Sequence, residues 1–190
     1  NVLKMVRTNN NEQHTLIALV EDKPGVLTRV ASMFRRRGFN IVSLAVGNSE
    51  QLGLSRMTFV VDGDEYTVGQ VAKQLDKLID VIEVSDITNE RILARELALI
   101  KVKTTHVTRS EIIQIVNLFR ASIVDVGTES MVVEITGEED KISALYNLLE
   151  PCGIIEMLRT GVVAMVRGQT NGQVNDQDGT DVRGRVVAQG

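Results

Sequence analysis

From Leu19 to Leu44 the chain reads LVEDKPGVLTRVASMFRRRGFNIVSL, and this stretch decides the fold. An apolar run that ends at Val20, and is short enough for a buried strand from Leu16, leads into it. Asp22-Lys23-Pro24-Gly25 breaks that strand. Val26, Val30, Met33 and Phe34 then recur at helical spacing, with Asp22 or Lys23 near the cap, Pro24 suited to the first helical turn, and Gly38 as the stop. Asn40 to Val46 reads as a second strand.

The same alternation continues outward. Met57, Phe59 and Val61 alternate with Arg56, Thr58 and Val60 as a third strand beyond the polar 47–53 loop. Val68, Val71, Leu75, Leu78 and Ile79 make the apolar stripe of a second helix, and a fourth strand is expected over 81–87. The order βαββαβ then repeats. Strand 97–103 is followed by a helix carrying Ile112, Ile115, Val116 and Phe119, by paired strands over 122–126 and 131–136, and by a helix carrying Ile142, Leu145, Leu148 and Leu149. Pro151-Cys152-Gly153 stops that helix, and 154–166 holds the closing strands, broken near Gly161.

These periods predict an α+β chain of tandem βαββαβ units, each an antiparallel sheet with its helices on one face. The expected divisions are an extension over 1–13, a first domain over 14–88, a polar linker over 89–96, a second domain over 97–168 and a polar tail over 169–190. The bare sheet face of the first unit, with Val60 and Leu44 expected on it, calls for cover by the other repeat or by a second chain.

Composition narrows the function. The 190 residues carry 21 basic and 25 acidic side chains, a net charge of −4, with 3% aromatics and no tryptophan. That argues against nucleic-acid partners, which need basic surface and stacking rings. No apolar run is long enough for a membrane span, the start lacks a signal-peptide pattern, and a single cysteine suits a reducing cytoplasm. His14 and His106 are the two histidines, and no phosphate loop, metalloprotease motif or nucleophile elbow is present, so a catalytic site of its own is not expected. His14 and His106 read as surface or satisfied polar side chains, and Cys152 as a small buried apolar group and not a nucleophile. Arg35-Arg36-Arg37 reads as a helix C-terminus complementing its dipole, and Asp176, Asp178 and Asp181 miss the spacing of a calcium loop.

One constellation can bind a ligand. Helix N–H groups after Pro24, beside Gly25, suit a carboxylate; Asp22 accepts from an ammonium; Asn40 offers a donor and an acceptor; Val26, Leu27 and Ile41 surround an aliphatic side chain. A small amino acid meets these demands if the Asp22 loop and Asn40 meet at one sheet end. The plain alternative is a turn with a helix cap.

At these residues the chain resembles the ACT domain, and the 19–44 run looks like the branch found in small, regulatory subunits of acetolactate synthase. The resemblance continues through Gly53-Leu54-Ser55-Arg56-Met57-Thr58, KQLDKLID over 73–80, Arg95-Glu96-Leu97 and Arg159-Thr160-Gly161-Val162-Val163, and spans 15 to about 168. It implies tandem ferredoxin-like domains, an N-terminal ACT domain and a C-terminal ACT-like one. It also implies a cytoplasmic, non-catalytic homodimer that activates a large subunit and confers feedback inhibition by valine, or by leucine or isoleucine. Thiamine diphosphate, magnesium and FAD are expected in that large subunit, with no cofactor or metal in this chain. The resemblance puts the effector between ACT domains of two copies, at Asp22, Lys23, Pro24, Gly25, Val26, Leu27, Asn40 and Ile41. Where some relatives carry asparagine, Asp22 keeps an acceptor and drops an amide donor. A free-standing ACT-type sensor controlling another enzyme or transcription stands as the alternative.

Overall fold

A computed structural model describes residues 13–168; the expected tail, its three aspartates and all but one residue of the expected N-terminal extension lie outside them. The first unit comprises β1 (Gln13–Glu21), α1 (Val26–Arg37), β2 (Ile41–Asn48), β3 (Leu54–Asp62), α2 (Glu65–Leu75) and β4 (Val81–Asp86). The second comprises β5 (Ile92–Lys103), α3 (Thr108–Leu118), β6 (Ser122–Val126), β7 (Ser130–Gly137), α4 (Glu139–Leu149), a 3-10 turn (Glu150–Cys152), β8 (Ile154–Arg159) and β9 (Val163–Val166). The sheets are antiparallel, in the orders β2-β3-β1-β4 and β6-β7-β5-β8.

Each unit closes an aliphatic core between its helices and one sheet face. In the first, Leu16, Ala18 and Val20 of β1 meet Val30 and Phe34 of α1 and Val68, Val71 and Leu75 of α2. Phe34 stacks on Phe59 with ring centroids 5.3 Å apart, and removing so large a buried ring costs about 3–5 kcal/mol. The helix ends at Gly38, whose φ of 71° lets Phe39 N–H return to the Phe34 carbonyl. Arg35, Arg36 and Arg37 occupy its last turn, as expected.

Several expectations change. Ile79 lies beyond α2 and is almost fully exposed, and Leu148 is half exposed, so a periodic apolar residue is not always an inward one. Leu44 packs on the core, opposite Phe59, because a bulge between Ile41 and Ser43 shifts the register of β2 on β3. The expected linker contains the start of β5: Ile92 to Arg95 pair with β9, and the rest of β5 pairs with β7 and β8.

That long strand joins the units. The ribbon of β5 and β9 lies over the open face of the first sheet, where Ile17 and Ile87 pack against Ala164, Ile92 and Ala94. The partner repeat therefore supplies cover for this face. At the corner between β8 and β9, Gly161 adopts φ 82° and sits on the bulged stretch of β2: Val162 N–H donates to Ser43 Oγ at 2.9 Å. Glu96, buried, accepts from both Arg159 Nε, at 2.9 Å, and Nη2 at the same corner.

Candidate functional site

Glu21 ends β1 and Val26 opens α1, and the four residues between them are exposed. Asp22 N–H donates to the Gly53 carbonyl at 2.8 Å, and Lys23 Nζ pairs with Glu21 at 2.8 Å in solvent, where such a pair contributes little. Pro24 precedes the helix instead of filling its first turn. Gly25 is the N-cap, with φ 91°, and no side chain caps the helix, so neither Asp22 nor Lys23 plays that role. The left-handed backbone is what selects glycine here, since a Cβ would meet nothing nearer than Arg29 Nη1 at 4.0 Å. Among the described residues no backbone or side-chain group accepts from Leu27 or Thr28 N–H. Two donors at the positive end of a helix are thus available to a carboxylate.

Arg29 and Asp80 fix the position of that helix start. Arg29 Nε and Nη2 reach the two Asp80 oxygens at 2.5 and 2.8 Å, and Asp80 is buried while its backbone carbonyl accepts from Glu21 N–H. A buried carboxylate needs such a bidentate partner. Sequence reading missed this pair because 51 positions separate the partners, although each lies in a stretch that carries the family resemblance, Arg29 within 19–44 and Asp80 at the end of 73–80.

Asn40 and Ile41 lie elsewhere. Asn40 is exposed, with Nδ2 3.5 Å from Asp62 Oδ2, and Asp62 pairs with Gln13 at the far end of β1 from Asp22. The expectation that the loop and Asn40 meet at one sheet end is therefore corrected for a single chain. Twelve residues of α1 intervene, which at about 1.5 Å each is roughly 18 Å of helix. Ile41 is half-buried against the first core, Leu27 is about half exposed, and Val26 is buried in the core, where it holds the helix and leaves ligand contact to Leu27.

The second unit has a counterpart junction, between β5 and α3. Thr105 Oγ1 accepts from Thr108 N–H at 3.2 Å, Thr108 Oγ1 accepts from Thr105 N–H at 2.9 Å, and Arg109 Nη2 donates to the Gly127 and Thr128 carbonyls. His106 is exposed in this turn. His14 is buried and its Nε2 has no partner among the described residues, unlike the satisfied or surface side chain expected. Burial, with Glu111 adding to it, pushes the Cys152 thiol up, away from the thiolate a nucleophile needs. Among the described residues no cluster of metal-ligating side chains occurs, and no helix is long and apolar enough to cross a membrane.

Comparison with known proteins gives concordant matches. Residues 16–83 match the model of the AHAS small subunit-like ACT domain, and 95–168 that of the small subunit of acetolactate synthase. The probable acetolactate synthase small subunit of Archaeoglobus fulgidus is 57% identical over 156 residues, covering 82% of this chain and 98% of its own. The acetolactate synthase small subunit of Mycolicibacterium smegmatis is 53% identical over 161 residues, covering 85% and 95%. The crystal structure of the acetolactate synthase small subunit of Thermotoga maritima superposes with a TM-score of 0.79 at 43% identity, over 84% of this chain and 99% of that one.

Proposed function

This chain belongs to the family of acetolactate synthase small subunits, and on that premise we propose that it activates a catalytic large subunit and makes it answer to valine. The observation that carries the effector site is the uncapped start of α1, where Leu27 and Thr28 N–H groups stand open beside a left-handed Gly25. The α-carboxylate of valine takes those donors, Asp22 accepts from its ammonium, and Leu27 lies along its side chain.

A single chain keeps Asn40 and Ile41 at the other end of the sheet. In our reading a second copy brings them to the loop, so the complete site belongs to a homodimer with Asn40 supplying both a donor and an acceptor. Thiamine diphosphate, magnesium and FAD belong to the large subunit in this reading, and the chemistry takes place there. The test is acetolactate formation by the large subunit, with and without this chain, across a valine titration. Stimulation that valine then reverses is expected; a rate indifferent to the chain and to valine would defeat the proposal.

A further inference from the structure

We propose that the seat of Gly161 and Val162 on Ser43 is the joint through which effector occupancy on β2 reaches the second unit. The inference rests on the effector site proposed above and adds a route out of it. Ile41 opens β2 with Asn40 just before it, and the bulge between Ile41 and Ser43 follows directly. A bulge is where one strand can shift against its neighbour without breaking the rest of the ladder. A ligand gripping Asn40 therefore acts first on Val42 and Ser43.

Ser43 has no slack on its other side. Its Oγ accepts Val162 N–H at 2.9 Å, across 119 positions of sequence. A Cβ placed on Gly161 would lie 2.9 Å from Ser43 Oγ and 3.1 Å from the Leu44 carbonyl oxygen, so a side chain here would have to push β2 or the corner aside. A cleft lined by Val42, Ser43, Arg159 and Gly161 opens beside this seat, so a displacement passes through the direct contact of Ser43 and Leu44 with the Gly161 corner and not through a closed core.

The corner that receives the displacement is itself tied to the second sheet. Thr160 and Leu97 exchange hydrogen bonds at 3.1 Å, Thr160 N–H to the Leu97 carbonyl and Leu97 N–H to Thr160 Oγ1, and Arg159 is held by buried Glu96. β8 leaves this corner into the second sheet, and β9 leaves it onto the first. A shift of Ser43 must then move both, which makes Ser43 and Gly161 positioning residues for regulation and leaves ligand contact to Asn40 and the loop.

The experiment uses the reconstituted holoenzyme with Ser43→Ala, Gly161→Ala and the double variant. Calorimetry on each small subunit measures valine affinity, and the synthase assay measures stimulation and inhibition. A joint predicts valine affinity within about twofold of the parent and retained stimulation, with the half-inhibitory valine concentration raised by about fivefold or more, the lower end of ordinary coupling. The double variant should go no further than the larger single effect, because both substitutions break one contact. Ser43→Ala removes a hydroxyl without adding volume, so it keeps the test valid if Gly161→Ala misfolds. Half-inhibition that merely tracks binding affinity, or singles whose effects multiply, would overturn the joint. A parent holoenzyme that valine does not inhibit would instead overturn the function proposed above.

Discussion

The β1–α1 and β5–α3 junctions occupy the same place in two copies of one topology, and they satisfy their helix starts to different degrees. Every helix start leaves backbone N–H groups in need of acceptors. At β5–α3 the chain supplies one itself, through the reciprocal Thr105 and Thr108 hydrogen bonds, and Arg109 ties the helix to the 127–128 turn. At β1–α1 the cap is Gly25, which has no side chain to offer, and Arg29 is committed to Asp80. Repeating a fold therefore does not repeat a site. Among the described residues Val26 N–H has the Lys23 carbonyl at α1, and Thr108 and Arg109 N–H have Thr105 at α3. What distinguishes the two is that α3 leaves only Ser110 N–H without an acceptor among those residues, whereas α1 leaves the adjacent pair Leu27 and Thr28.

The largest effect should come from closing the open junction. Gly25→Asp places a side chain on a left-handed backbone and a carboxylate at the helix start, and it should abolish valine binding by calorimetry while stimulation of the large subunit survives. The matching change at the other junction, Val107→Asp at the N-cap of α3, should leave valine affinity unaltered; equal losses at both would erase the contrast.

Next in size is Asn40→Ala. Losing one buried amide contact costs about 1–3 kcal/mol, or roughly tenfold to a hundredfold and more in valine affinity. Because a ligand shared by two copies must stabilise their association, valine should also tighten the parent dimer in sedimentation velocity, and much less so the variant. A dimer equilibrium blind to saturating valine would place the effector within one chain.

Thr105→Ala should cost about 1 kcal/mol of stability, a fall in Tm of about 2–4 °C, with the valine response intact. If the response changed, the second junction would have to be more than a self-satisfied cap. The smallest effect concerns α2, whose Asp64 caps through Thr67 N–H at 2.7 Å. Hydrogen bonds from Thr67, its side chain first and its backbone second, hold the Asp64 carboxyl below its ordinary value. A lowered folded-state pKa means stability present above the unfolded value and lost as pH falls through the folded one. Asp64→Ala should therefore lower Tm slightly at neutral pH, and that difference should vanish in strong acid.

Much of this was legible in the residue pattern because the determinants are local. The apolar periods of 16–20, 26–34 and 57–61 pick out β1, α1 and β3, and Gly38 marks a helix stop that its backbone requires. The loop half of the candidate site was legible for the same reason. What escaped were features set by distant partners. The start of β5 looks like a linker because Arg91 and Arg95 flank only three apolar residues, Ile92, Leu93 and Ala94, and its partner β9 arrives far along the chain. The side on which Leu44 falls depends on a bulge, which shifts the register by one residue without altering the composition. The place of Asn40 relative to the Asp22 loop follows from the direction of α1 across the sheet. The spacing does hold that information, because a helix read between the Asp22 loop and Gly38 keeps its two ends roughly 18 Å apart at about 1.5 Å per residue.

The ribbon that covers the first sheet also sets an order of events during synthesis. All four strands of that sheet have been made once Asp86 is added, but the strand that completes the ribbon over Ile17 ends at Val166. At about 5–20 residues per second a ribosome needs on the order of seconds to make up the difference. If the first sheet folds within that interval, its outer apolar face is bare until β9 arrives. Any neighbour that reaches the face first, another nascent copy included, competes with the chain's own last strand for the same surface.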